Sequence, residues 1–273
     1  MKIVLFCGGL GLRMRDYSEH TPKPMVTIGY RPLLWHVMKY YSYYGHKDFI
    51  LALGYKADVI KEYFINYNEC LSNDFVLSDG GKHLHLIDSD IHDWRITFVD
   101  TGLTSTIGQR LKYVEPYLEG EEVFLANYTD SLTDCPLPRL LDHFDKHDKI
   151  ASFLCVKPNL SFHVVSMTNG AAVNKIEHIN RSPVHINGGY FTFRREIFKY
   201  IREGEELVNE PFQRLIDQRE LIAYKYAGFW GSMDTFKDKQ QLDDIYSRGE
   251  APWEVWRATK GGVKAKVHVK VAG

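Results

Sequence analysis

An apolar run, Lys2-Ile3-Val4-Leu5-Phe6-Cys7, breaks at once into Gly8-Gly9-Leu10-Gly11-Leu12-Arg13, and no other segment limits the fold of this chain so tightly. A buried strand feeding a glycine-rich turn is how α/β proteins bring backbone N–H groups close to a phosphate. Glycine belongs there because a Cβ would block the approach or forbid positive φ. Two familiar versions of the motif fail. The dinucleotide fingerprint needs a third glycine where Met14 stands, and the P-loop needs a closing Gly-Lys-Ser/Thr that is absent. What remains is a glycine turn with its own arginine, followed by Pro22-Lys23-Pro24.

The flanking prolines fix φ on one side and push the preceding residue toward extended geometry on the other, so Lys23 is expected on a stiff extended segment. Alone, the tripeptide is better read as a solvated lysine in a loop. With Gly8-Gly9-x-Gly11-x-Arg13 upstream it resembles the signature of sugar-1-phosphate nucleotidyltransferases, with Leu12 replacing their usual threonine.

Composition agrees with an enzyme of the cytoplasm. A net charge of −1 over 273 residues gives no basic footprint for nucleic acid. The apolar start is too short for a signal peptide, and no stretch approaches the roughly 20 apolar residues of a membrane span. Cys7, Cys70, Cys135 and Cys155 are scattered without metal spacing and read as reduced core thiols.

Strand and helix patterns alternate along the chain. Helices are expected over 32–41, from a cap at Asp58 toward Tyr67, over 110–118, 137–147, 196–201 and 236–248. Strands are expected over 49–53, 95–99, 123–127 and 151–156, then shorter ones over 164–167, 173–176 and 186–193. The βαβαβ order requires right-handed crossovers and ligands at the strands' carboxyl ends. The expected fold is therefore α/β with a mostly parallel central sheet; the resemblance to sugar-1-phosphate nucleotidyltransferases implies a Rossmann-like core and a smaller mixed β/α portion that binds the sugar. Residues 1–257 form one domain on this reading, with 1–130 the nucleotide-binding half and 131–257 the acceptor-binding half. The tail 258–273 has no assigned role.

Asp130 follows the strand 123–127 and points toward the ligand crevice; the alternative is a helix cap, a task open to Asp134 as well. Asp234 reads equally as a second carboxylate of the site or as the cap of the helix after it. Mg²⁺ on a triphosphate takes one or two protein carboxylates, which two such aspartates would supply.

Over residues 2–256 the chain is similar to the glucose-1-phosphate cytidylyltransferase family. The resemblance runs through Pro32-x-Leu34-Trp35-His36, Gly54-Tyr55-Lys56, residues 59–64, Val99-Asp100-Thr101-Gly102 and Gly108-x-Arg110-Leu111. It continues through residues 186–191, Gly228-Phe229-Trp230, Met233-Asp234-Thr235 and Ala251-Pro252-Trp253. It implies transfer of CMP from CTP to a sugar 1-phosphate with release of pyrophosphate, Mg²⁺ as cofactor, and a homo-oligomer without nucleic-acid or membrane partners. Gly8, Gly9, Gly11 and Arg13 would hold the triphosphate, with Thr101 and Arg110 lining the nucleotide site. Arg13 and Lys23 would carry catalysis, and Asp130 and Asp234 would hold the metal. Asn187, Gly188, His178 and Arg181 would meet the acceptor.

Departures cluster at that acceptor site. The family's Glu-Lys-Pro becomes Glu177-His178-Ile179, its Arg-Phe-Gly becomes Ser161-Phe162-His163, and its Tyr-Gly-Asp-Gly becomes Tyr128-Thr129-Asp130-Ser131. A histidine is mostly neutral at pH 7 unless an anion raises its pKa, so the charge is left either to a protonated His178 or to Arg181. A re-specified acceptor and neutral drift both fit. The other function class is a catalytically silent sensor or scaffold for nucleotide sugars; retention of Lys23, Asp130 and Asp234 favours the enzyme. His83-Leu84-His85 with Asp88-Ser89-Asp90 and His92 is read as an exposed hairpin edge rather than a metal site, and the alternating tail 263–271 as a strand with a basic face.

Overall fold

Strands rich in Val, Ile, Leu and Phe, each followed by a helical or coil return, build a seven-stranded sheet. In this computed structural model the structure describes residues 1–9, 21–159 and 161–257. Gly11, Arg13 and the tail lie outside them. The sheet strands are β1 (Lys2–Phe6), β2 (Asp48–Leu53), β3 (Arg95–Asp100), β4 (Val123–Asn127), β5 (Ala151–Val156), β6 (Ile186–Arg194) and β7 (Leu221–Tyr226). Their spatial order is β7-β5-β6-β4-β1-β2-β3. Pairings β1/β2, β1/β4, β2/β3 and β5/β7 are parallel, whereas β6 runs antiparallel to both β4 and β5.

The alternation of side chains along each strand splits the core in two. Ile3, Leu5, Phe49, Leu51, Leu53, Leu125 and Leu154 face one side, packed with helix α1 (Leu33–Tyr43). Val4, Phe6, Ile50, Ala52, Phe124 and Ala126 face the other, against α3 (Ile107–Val114) and α5 (Glu210–Asp217). Apolar residues on both faces give the near-continuous hydrophobic runs seen in the sequence. Helix α1 is buried on nearly every side, since Lys39 and Tyr43 alone among its residues keep appreciable exposure.

Three helical expectations change. Helix α2 (Ala57–Ile65) starts behind Lys56, whose backbone is left-handed at φ 51°, so Asp58 sits inside the first turn and is not the cap. Helix α3 begins earlier than expected, because Thr106 and Gln109 close a reciprocal capping box, and gives way to a 3-10 turn Glu115–Leu118 at Pro116. The segment expected as a helix at 196–201 is a 3-10 turn, Arg195–Lys199. Helices α4 (Leu137–His147) and α6 (Phe236–Ser247) stand close to their expected bounds. Among the described residues no helix is long and apolar enough to cross a membrane.

Two exposed hairpins project from this frame, Phe75–Ser78 with His83–Leu86, and His163–Thr168 with Ala172–His178. His83-Leu84-His85 lies on the first of these. Asp90, beyond it, is drawn inward to Arg31, Lys39, Ser72 and Tyr67.

Candidate functional site

The carboxyl ends of β1, β4 and a short two-stranded ladder meet at one place, and Lys23 stands in it. Pro22 is extended, but Lys23–Met25 forms a 3-10 turn closed by Met25 N–H donating to the Pro22 carbonyl at 2.7 Å. The lysine is therefore held on a tight turn and not on the extended segment expected. Its Nζ reaches Asp130 Oδ2 at 3.0 Å and Asp234 Oδ1 at 2.7 Å.

Backbone geometry explains how aspartates so far apart in sequence converge. After β4 the chain turns sharply at Thr129, a buried non-glycine residue at φ 62°. A left-handed threonine costs on the order of 1–2 kcal/mol. Its N–H donates to Asn127 Oδ1 at 2.6 Å, and its hydroxyl lies 2.8 Å from the Phe6 carbonyl, which fixes the turn against β1. Residues Ser131–Thr133 then pair antiparallel with Trp230–Ser232, Ser131 opposite Ser232. Met233 N–H donates to the Asp130 carbonyl at 2.8 Å and extends this ladder by one rung. Asp130 and Asp234 thus flank the same end of one ladder. Neither is a helix cap: Thr235 with Asp238 caps α6, and α4 starts at Pro136 without a side-chain cap. Asp134 instead accepts from Tyr226 Oη and Phe229 N–H.

The charges shift one another. Burial alone would lower the Lys23 pKa, but Asp130 and Asp234 attract and hydrogen-bond its ammonium, and the net change is upward. Desolvation raises Asp130, with Asp234 adding to the rise and Lys23 opposing it. A carboxylate in such a recess, 31% exposed, is stabilised by a cation held against it.

Beside this cluster lies the glycine turn. Tyr55 N–H and Arg110 Nη2 both donate to the Gly8 carbonyl, at 3.3 and 3.0 Å. A Cβ on Gly8 would fall 2.1 Å from Arg110 Nη1, and one on Gly54 would fall 2.7 Å from the same atom. Gly9 differs: among the described residues a Cβ there would meet nothing within 4 Å, and its φ is not positive. Among the described residues nothing accounts for its lack of a side chain, which suits a ligand that approaches the backbone.

Arg110 and Thr101, expected to line the nucleotide site, are both 2% exposed. Arg110 donates to the carbonyls of Leu53, Gly102 and Gly8 and to Thr101 Oγ1, while Thr101 Oγ1 donates to the Leu53 carbonyl. The guanidinium thereby joins the chain beyond β1, β2 and β3 from beneath. It braces the turn, and its two terminal nitrogens are spent on backbone carbonyls and the Thr101 hydroxyl.

The acceptor residues divide. Asn187 and Gly188 lie where β6 bulges against β5. Gly188 O accepts from Ser131 Oγ and Trp230 Nε1, and Asn187 Oδ1 accepts from Gly189 N–H, which places both against the Asp130 ladder. His178 and Arg181 belong to the exposed hairpin and the turn after it. Among the described residues His178 meets His163, opposite it in the hairpin with ring centroids 5.4 Å apart, and Asn180 of the following turn, whose Oδ1 lies 2.7 Å from Nδ1. The sequence reading gave no structural role to Gly54, Asn127, Thr129 or Thr106. Of these only Thr106-x-x-Gln109 carried a recognisable signal.

Among the described residues no point gathers three or more His, Cys, Asp or Glu side chains. Asp130 and Asp234 offer hard oxygen donors on one small cation already, so the pair fits Mg²⁺ that completes its shell with water and phosphate oxygens. A separate cavity of about 970 Å³ is lined by Arg31, Trp35, Lys39, Asp90, Glu254 and Arg257 among others, but its charges pair with each other.

Comparisons place this arrangement among known proteins. Glucose-1-phosphate cytidylyltransferase of Salmonella typhimurium is 37% identical over 258 residues, covering 94% of this chain and 100% of that one. The probable glucose-1-phosphate cytidylyltransferase of Bacillus subtilis is 33% identical over the same shares. A crystal structure of UDP-glucose pyrophosphorylase complexed with UDP-glucose superposes with a TM-score of 0.66 at 14% identity, over 91% of this chain and 98% of that one, and shares the fold. The nucleotidyl transferase pattern spans residues 2–238, and with relatives this similar over nearly their whole length the chain belongs to the nucleotidyl transferase family.

Proposed function

We propose that the protein transfers CMP from CTP to glucose 1-phosphate or a related phosphorylated sugar, releasing pyrophosphate. The observation that carries the transfer chemistry is the convergence of Asp130 and Asp234 on Lys23 beside the open backbone of Gly9. The choice of cytidine and of a glucosyl acceptor rests on the names of the two near-full-length relatives.

The reaction needs no general base, because a phosphate monoester is already an anionic nucleophile at neutral pH. An acceptor oxygen forms a bond to the α-phosphorus, the bond from that phosphorus to the bridging oxygen breaks, and its electron pair leaves with pyrophosphate. The barrier is the approach of two anions, so fixed positive charge and orientation supply the catalysis. Magnesium, when bound to Asp130 and Asp234, supplies neutralising charge and polarises the α-phosphoryl group. Lys23 meets phosphate oxygens with its ammonium, the Gly8-Gly9 turn brings backbone toward the triphosphate, and Arg110 keeps that turn in place from below. Asn187 and Gly188 form the wall nearest the acceptor.

Incubation with Mg²⁺, each of CTP, UTP, dTTP and ATP, and a panel of phosphorylated sugars tests this through pyrophosphate release. CTP with glucose 1-phosphate or a related sugar phosphate is expected to give the fastest release. Faster release with UTP or dTTP at equal concentration overturns the nucleotide assignment.

A further inference from the structure

The position of Lys23 raises a question about order. Its ammonium touches Asp130 Oδ2 and Asp234 Oδ1, and only 15% of the side chain is exposed. A divalent ion bound to those oxygens would need the place that the ammonium holds, and would be a like charge at contact distance from it. We propose that Lys23 is a placeholder: its ammonium occupies the cation position between the two carboxylates in the substrate-free protein and competes with divalent metal for it. The competition ends when nucleotide phosphates offer the lysine another anion. This rests on Asp130 and Asp234 being the metal ligands.

Two observations give the inference a definite sign. First, the carboxylates are positioned by backbone that does not include Lys23. The Ser131–Thr133/Trp230–Ser232 ladder, the Met233-to-Asp130 bond and the capping box of α6 hold both ends. Removing the ammonium therefore leaves the carboxylates together, still facing one point. Second, Pro22 and Pro24 fix the backbone around Lys23 while its four-carbon stem has rotatable bonds, so the ammonium can change partner without the turn moving. If the lysine only assembled the site, its loss would weaken metal binding. As a placeholder its loss strengthens it.

Direct binding of Mn²⁺ to the nucleotide-free protein, followed by electron paramagnetic resonance with Mg²⁺ as competitor, decides between these without any turnover. Lys23→Met is expected to bind Mn²⁺ about ten-fold more tightly than wild type, the consequence of removing a competing charge at contact distance in a half-buried site. Lys23→Arg keeps the charge and is expected to stay near wild type. Equal or weaker binding by Lys23→Met, or no binding by either protein at millimolar Mn²⁺, overturns the placeholder. Adding Asp130→Asn to Lys23→Met should abolish the binding. If the double variant binds as tightly as Lys23→Met, it is the assignment of Asp130 as a ligand that fails.

Discussion

Two adjacent glycines in the same turn answer to different constraints. Gly8 has no side chain because the Arg110 guanidinium fills the space a Cβ would take, whereas no described residue crowds Gly9. Gly9→Ala should therefore melt within a degree or two of wild type and still raise KM for CTP at least about ten-fold, a steric clash met only by the ligand. Gly8→Ala should lose both stability and affinity. Calorimetry with steady-state kinetics separates the two, and a Gly9→Ala enzyme with unchanged KM would show that the nucleotide keeps clear of this backbone. Asp130 leads to a second expectation. Its folded pKa lies above its unfolded value, chiefly through desolvation. The folded state thus binds the proton more tightly, is favoured below the unfolded pKa, and is penalised once pH rises past the folded one. Ionised Asp130 opposes folding at neutral pH, so Asp130→Asn should unfold no earlier than wild type while turnover drops by roughly 10²–10³. A variant that melts early but keeps its rate would make the carboxylate structural. The sequence singled out Lys23 by its flanking prolines, Asp130 by the strand before it and Asp234 by its place ahead of a helix, and the structure brings the three together; the left-handed turn at Thr129 gave no such signal, since threonine gives no hint of positive φ.

At the scale of elements, α3 links the nucleotide turn to the rest of the molecule. Thr106 accepts from Gln109 N–H, its own hydroxyl donates to the Glu205 carbonyl at 2.7 Å, and one turn later the helix presents Arg110. Thr106→Ala removes a cap and a bond to a distant segment, and is expected to cost about 1–2 kcal/mol. Because the loosened helix carries the brace, KM for CTP should rise more than KM for the acceptor. Denaturant titration and a two-substrate kinetic analysis check both halves, and an equal change in the two KM values would detach α3 from the nucleotide turn. Strands and the longer helices could be read from their periodicity. The errors fell at boundaries set by local hydrogen bonds: the capping box at Thr106, the left-handed Lys56, and the 3-10 turns at Lys23 and Arg195. The hairpin that carries His178 was read as two short strands, but its pairing of His163 with His178 depends on a register that no pattern of side chains specified.

For the whole molecule, the parallel part of the sheet followed from the βαβ alternation, while the antiparallel insertion of β6 between β4 and β5 did not. Nothing in Ile186–Arg194 distinguishes a strand running one way from a strand running the other, and its direction is set by where the chain has to return. That insertion has a consequence for how the protein is made. When a ribosome has delivered β1 to β4, one long edge of β4 still exposes unpaired backbone, and its partner lies some sixty residues further along the message. Every later strand, including β5, reaches the growing sheet only through that same partner. The first half of the chain therefore waits with a sticky flank during synthesis, and the interval before β6 emerges is when a chaperone, or a neighbouring nascent chain, has its opportunity.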